Sequence, residues 1–271
     1  MAADASAEPR AWEQVLQHIE RRLLDGDLAP GDRLPGERAL AAELGVGRSS
    51  VREALRVLEV LGLIRTHTGS GPTAGAIIIA TPGGGMSALM RLQVAASGFP
   101  VADIVATRLV LEASVAGDLA AASAVEPGPD LAAADRLLDA MDDAALAAPD
   151  FLALDAAFHL ALAEASGNQV ITATMAGLRS GIEGYALAGL ARIDDWHAAS
   201  ARLRSEHRGV VAAIRAADAA TARTRMHDHI SGYYAQTSPD RTFATPEPPP
   251  HPADLDEVAV DVVPTGENDI T

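Results

Sequence analysis

Aspartate and histidine stand in this chain at spacings that a helical fold would bring together. Asp155 and His159 lie at i and i+4 in PDFLALDAAFHLALAEAS (149–166), so on a helix they project from one face, a turn apart. His207 precedes Asp218 by eleven residues and His229 follows it by eleven. With a turn at Asp218, two antiparallel helices carry these histidines at one height, roughly 16 Å from the turn at about 1.5 Å per residue. One aspartate and three histidines suit Zn²⁺, Ni²⁺, Mn²⁺ or Fe²⁺, and imidazole favours the first two. Spacing alone leaves a second reading open, in which each histidine is a core residue satisfied by a neighbour. His227 is read that way.

Arg108 poses a related question. It lies in a stretch, Val101–Ala124, that is apolar nearly all round, as in a central buried helix. A guanidinium there requires an anion, and Glu112 at i+4 can supply one.

A third set of residues could read nucleic acid. Between Arg33 and Gly69, Leu40, Ala41 and Leu44 fall on one side of a short helix, with Glu37, Arg38 and Glu43 on the other. Gly45-Val46-Gly47 interrupts it. A second helix places Val51, Leu55 and Leu58 in an apolar stripe, opposite Arg48, Ser49, Arg52, Glu53 and Arg56. This is a helix-turn-helix pattern whose second helix would enter a major groove by its N-terminal end.

The supporting elements follow from the same patterns. Residues 1–9 read as disordered, and Trp12 to Asp25 as an amphipathic helix burying Val15, Ile19 and Leu23. Leu63–Thr66 and Ala76–Ile79 are strand-like runs around a glycine-rich loop. Its Gly69-Ser70-Gly71 lacks the spacing and the lysine of a nucleotide-binding phosphate loop. Thr81–Gly85 reads as a linker. Residues 86–236 are alanine- and leucine-rich, with breaks near 98–100, 126–129, 148–149, 166–168, 189–195 and 217–218. The breaks predict an antiparallel bundle of six or seven helices. The fold class is therefore mainly α, with an N-terminal domain (10–80) carrying a small β-hairpin and an all-α C-terminal domain (86–236). Residues 237–271, with seven prolines and eight acids, read as a disordered tail.

Composition sets further bounds. The net charge of −16 is unusual for a DNA binder, yet residues 33–69 hold six arginines against four glutamates. All 21 basic residues are arginine, a bias of the whole chain. Cysteine is absent, which removes disulfides and thiolate ligands. No apolar run reaches the length of a membrane span and the N-terminus lacks a signal-peptide pattern, so a cytoplasmic location is expected.

The wording of two regions adds to this. LPGERALAAELGVGRSSVREALRVLEVLGLI (34–64) closely resembles the winged-helix segment of GntR-type bacterial transcription regulators, LPSERxLAxxLGVSRxxVREALxxLxxxGLI. Two serines of that pattern are Gly36 and Gly47 here, where helix N-caps are expected; glycine costs only a few tenths of a kcal/mol there. The resemblance implies a winged helix contacting operator DNA through Arg38, Arg48 and Arg52, with Gly69 at the wing tip and Ser49 on the same face. RLVLEASVAGDLAA, LDAAFHLALAEASGN, RSEHRGVVAAIRAAD and MHDHI resemble the FadR-like ligand-binding (FCD) domain. The resemblance implies that Asp155, His159, His207 and His229 are the ligands of a divalent metal, and that Arg108 holds an effector carboxylate. It also implies a homodimer on a palindromic operator, acting as a repressor released or engaged by a small organic acid.

The competing reading is a metal-dependent hydrolase or oxygenase built on the same Asp/His set. It requires an open coordination position and a nearby acid or base. Glu206 adjoins His207 but on a helix points about 100° away from it, and no nucleophile motif is present. The regulator reading is preferred.

Overall fold

The computed structural model describes residues 9–67, 75–79, 84–96, 98–143 and 145–238. The expectations for residues 1–8, for Gly69 at the wing tip, for most of the linker and for the tail beyond Ser238 concern residues outside that set.

Three helices and a hairpin build the N-terminal domain around one core. Helix α1 (Ala11–Leu24) buries Val15 and Ile19, and packs on α3 (Arg48–Val60), which buries Val51, Ala54, Leu55 and Leu58. Helix α2 (Glu37–Leu44) contributes Leu40 and Ala41. Gly36 and Gly47 are the N-caps of α2 and α3, extended and without a side-chain bond to the helix, as the sequence pattern implied. Helix α2 ends where Gly45 takes φ +67°, a left-handed conformation that glycine adopts without steric cost. Strand β1 (Ile64–His67) pairs antiparallel with β2 (Gly75–Ile78), Ile64 facing Ile78. Each strand starts one residue away from the run read in the sequence, because pairing at His67–Gly75 extends the ladder towards the loop. The Thr66 amide and hydroxyl both donate to Glu59 on α3, which fixes the hairpin against that helix.

Seven α-helices follow among the described residues: α4 (Gly85–Ala95), α5 (Val101–Ala122), α6 (Ala132–Met141), α7 (Ala148–Ala165), α8 (Gln169–Gly189), α9 (Trp196–Arg215) and α10 (Ala219–Thr237). A short 3-10 turn, Leu190–Arg192, lies between α8 and α9. Helix α5 is the central one, packed on α7, α8, α9 and α10, and although its sequence is apolar nearly all round, Asp103, Thr107, Val110 and Asp118 form an exposed stripe along one side. Helix α4 starts one residue earlier than expected. Gly85 lies against the Leu61 carbonyl at the end of α3, and a Cβ there would be 2.0 Å from that oxygen. Helix α10 runs through Thr237, one residue into the stretch assigned to the tail, and its hydroxyl donates to the Tyr233 carbonyl.

The turn between α9 and α10 sets the relative height of His207 and His229. Asp218 caps α10 through a bond from the Thr221 amide. Before it, exposed Ala217 takes φ +57°. A left-handed conformation costs an L-residue about 1–2 kcal/mol, and glycine gives back about 0.4–1 kcal/mol through its freer unfolded chain. Ala217→Gly should therefore raise stability by ~0.5–1 kcal/mol in urea unfolding. A loss would mean that the Ala217 methyl contributes packing its exposure does not suggest.

Candidate metal centre and nucleic-acid interface

Helix α3 shows one polar face. Arg48, Ser49, Arg52 and Arg56 are exposed along it, and Arg38 is exposed on α2. The two helices are joined across that face by one side-chain pair. Arg52 donates through Nε and Nη2 to the two oxygens of Glu37, at 3.2 and 2.8 Å. The Arg52 hydrogen bond, first, and the charges of Arg52, Arg48 and Arg56 hold the Glu37 carboxyl below its ordinary range. A bidentate carboxylate fixes the guanidinium plane and leaves the Nη1 end of the fork free to donate outward. The sequence placed Glu37 on the polar side of α2 without giving it a partner. The contact joins two elements fifteen residues apart, so no local pattern announces it.

Inside the bundle, Asp155 and His159 of α7, His207 of α9 and His229 of α10 come together. One donor atom from each lies within 4.8 Å of the others, and all four residues are buried. The three Nε2 atoms converge: His159 to His229 at 3.2 Å and His207 to His229 at 3.1 Å. Asp155 Oδ1 is 3.1 Å from His207 Nε2, and Oδ2 is 3.8 Å from His159 Nε2. The outer nitrogens of His159 and His229 face carboxylates, while His207 Nδ1 is buried without a hydrogen-bond partner. Glu112 Oε2 of α5 sits against His159 Nδ1 at ion-pair range, and Glu206 Oε2 of α9 is 2.8 Å from His229 Nδ1.

These partners decide where the protons belong. A carboxylate at Nδ1 selects the tautomer that carries its proton there, which leaves the Nε2 lone pair facing inward. Inward lone pairs and a carboxylate at 3.1–3.2 Å repel unless a cation or a shared proton lies among them. Burial works to raise the Asp155 pKa, but the His207 hydrogen bond and the neighbouring imidazoles outweigh it, and the carboxyl is held well below its usual range. Burial, followed by the charge of His207, pushes His229 down to about 4. An ionised aspartate beside a neutral imidazole is the state that ligation requires. The donor set therefore fits a divalent cation.

Arg108 has the partner that its i+4 neighbour offered, and a second one. Its Nε donates to Glu112 Oε1 at 2.6 Å, and Nη1 donates to the Tyr185 hydroxyl of α8. Its Nη2 is buried and has no hydrogen-bond partner. Burial opposes the charge of Glu112, but Arg108 and His159 together hold that carboxyl down at about 2. Arg108, Asp155, Tyr185, His229 and Tyr233 line one cavity, whose open volume of about 10 Å³ has room for roughly one water molecule. No local pattern announces Tyr185, which lies 77 residues from Arg108. Glu206 does point away from His207 on their shared helix, yet it reaches His229 across the α9–α10 interface.

Comparison with known proteins adds an independent line. Residues 11–73 match the family described as bacterial regulatory proteins, gntR family, and residues 103–232 match the FCD domain. The chain is 30% identical over 223 residues to the HTH-type transcriptional regulator LutR of Bacillus subtilis (strain 168), covering 78% of this chain and 97% of that one. It is 29% identical over 238 residues to the HTH-type transcriptional repressor NanR of Citrobacter rodentium (strain ICC168), covering 84% and 86%. The solved structure of Streptococcus agalactiae GntR superimposes with a TM-score of 0.53 at 27% identity, covering 81% of this chain and 97% of that chain.

If Arg48 and Arg52 reach the major groove, Arg48→Ala or Arg52→Ala should weaken binding to a cognate operator about ten- to a hundredfold at fixed salt. Glu37→Ala should do something different. It removes a negative charge from a surface that faces phosphates, so binding to random DNA tightens while discrimination between operator and random DNA falls. Gel-shift titrations on both DNAs check this. Unchanged operator affinity in both arginine variants would remove α3 as the reading helix.

Proposed function

The chain belongs to the GntR family of bacterial transcription regulators, with an FCD domain following its winged helix, and from that premise we propose a metabolite-responsive repressor governed by a small organic acid. This family consists of regulators and not enzymes, so the hydrolase or oxygenase reading of the Asp/His set loses its ground. In the reading proposed here, Asp155, His159, His207 and His229 hold a divalent cation, with Zn²⁺ or Ni²⁺ favoured by the imidazole majority over Mn²⁺ or Fe²⁺. When bound, the cation supplies a Lewis-acidic anchor for oxygen atoms of the acid. Arg108 supplies the second anchor, a cation whose Nη2 is buried without a partner. That unpartnered donor is the observation that carries the proposal, because a buried guanidinium N–H left unpaired costs free energy that a carboxylate oxygen would recover. Two copies of the winged helix, related by a two-fold axis, would read the two halves of a palindromic operator. Acting on chromosomal DNA, the protein would work in the cytoplasm, and no described helix is long and apolar enough to cross a membrane. The relative NanR, which carries repressor in its name, supports that sign of action.

The cavity is too small for an acid of several heavy atoms as it stands. Tyr185, bonded to Arg108, is the side chain an incoming carboxylate would displace. Tyr185 belongs to α8, which packs along α4 and accepts a bond from Ser87 of α4 at the Ala173 carbonyl, 2.9 Å. Helix α4 in turn starts against Leu61 at the end of α3. Displacement of Tyr185 would thus be felt at the base of the reading helix. Regulation is then a difference in operator affinity between the two arrangements.

His207→Ala removes one inward nitrogen on the bundle side, far from the winged-helix core. It should lose bound metal by elemental analysis and lose the response to a panel of two- to six-carbon carboxylic acids, yet still bind operator DNA. Arg108→Ala should retain metal and lose most of the acid response. Full metal occupancy and a normal acid response in His207→Ala would overturn the proposal.

A further inference from the structure

Glu112 is 3% exposed and lies between two residues that the proposed function treats separately, Arg108 at 4% and His159 at 1%. Its two oxygens are divided between them. Oε1 accepts from Arg108 Nε at 2.6 Å, and Oε2 faces His159 Nδ1. Both neighbours must be donors. The guanidinium has no acceptor, and an imidazole that offers Nε2 to a cation carries its proton on Nδ1. Only a group with two acceptors and no donor satisfies both positions, and an ionised carboxylate is that group. Tyr185 completes the shell on the Arg108 side, through Nη1.

We propose that Glu112 is a positioning residue shared by the cation site and the effector clamp, one oxygen setting the His159 imidazole and the other setting the Arg108 guanidinium. This rests on the reading of Asp155, His159, His207 and His229 as cation ligands. Its consequence is linkage: a change at Arg108 is transmitted to a ligand imidazole through one rigid carboxylate, so occupancy of either site alters affinity at the other by the same factor. Glu206 makes a useful contrast. It also faces a ligand imidazole, at His229 Nδ1, but its other oxygen accepts from Arg202, which unlike Arg108 does not line the effector cavity.

The test follows from counting donors. Glu112→Gln keeps the shape but has one acceptor and one donor group. The amide oxygen can face Arg108 or His159, and the NH₂ then confronts a donor at the other. Zn²⁺ affinity of the full chain, measured by competition with a chromophoric chelator, should fall about ten- to a hundredfold, although Glu112 is not itself a ligand. The double variant Arg108→Met/Glu112→Gln removes one donor, so the amide oxygen is free for His159. Zn²⁺ affinity should return to within about threefold of the unaltered protein, a recovery that general damage to the fold would not produce. Glu206→Gln should weaken Zn²⁺ as well, but Arg108→Met should not rescue it. The inference is overturned if Glu112→Gln binds Zn²⁺ as tightly as the unaltered protein, or if the double variant is no better than Glu112→Gln. If Glu112→Gln does not fold alone, the double variant against Arg108→Met still decides: affinities within threefold support the inference, and a tenfold gap overturns it. Failure of the underlying reading has a separate signature, since the unaltered protein and His207→Ala would then bind Zn²⁺ equally poorly, and the inference falls with it.

Discussion

Four inward-facing donors from three helices, within 4.8 Å of one another, constrain everything around them. Three imidazole nitrogens and a carboxylate cannot share a dry interior at that distance through dispersion forces. They require positive charge among them and acceptors behind them. The first demand is one that a bound cation would meet, and the second is met by a carboxylate at the outer nitrogen of His159 and of His229. The helices must then be phased by polar geometry as much as by packing. Phe158 fills the space beside the cluster, its ring 4.6 Å from that of His207 and 5.6 Å from that of His159. Water is thereby kept from one flank, and the electrostatic terms gain strength in a low dielectric.

Much of this was legible in the sequence, because it is written in periodicity. Asp155 and His159 share a face by helical spacing alone, and the equal distances of His207 and His229 from Asp218 carry them to one height. The helix breaks came from glycine, proline and capping residues such as Asn168 and Asp218, whose side chains accept from the amides of the helices they start. What the sequence did not reveal depends on the angle at which elements meet. Glu206 diverges from His207 on its own helix, and only the facing of α9 and α10 brings it to His229. Tyr185 reaches Arg108 because α8 lies beside α5, a contact with no local signature. Arg108 and Glu112 were legible as an i, i+4 pair, but not the use of the second Glu112 oxygen. The one-residue shifts of the strands have the same origin, since a ladder ends where its partner ends.

The chain uses an arginine–glutamate pair twice, and the two pairs obey different physics. Arg52 and Glu37 are exposed at 55% and 38%, where solvent screening leaves such a pair contributing little to stability. Its contribution is orientational: the guanidinium is held in one plane on a surface that DNA would approach. The side chains of Arg108 and Glu112 are exposed at only 5% and 4%. There the cost of stripping water from two charges is several kcal/mol per ion, and a pair of apolar residues would serve stability as well. Stability is therefore a poor account of why the buried pair exists. Position is a better one, because Glu112 also faces His159, and Arg108 lines the cavity while one of its donors is unpaired. A buried charge that is only partly satisfied is held at the expense of folding free energy. In this bundle the residue that carries the unsatisfied donor lines the cavity in which the proposed carboxylate would bind.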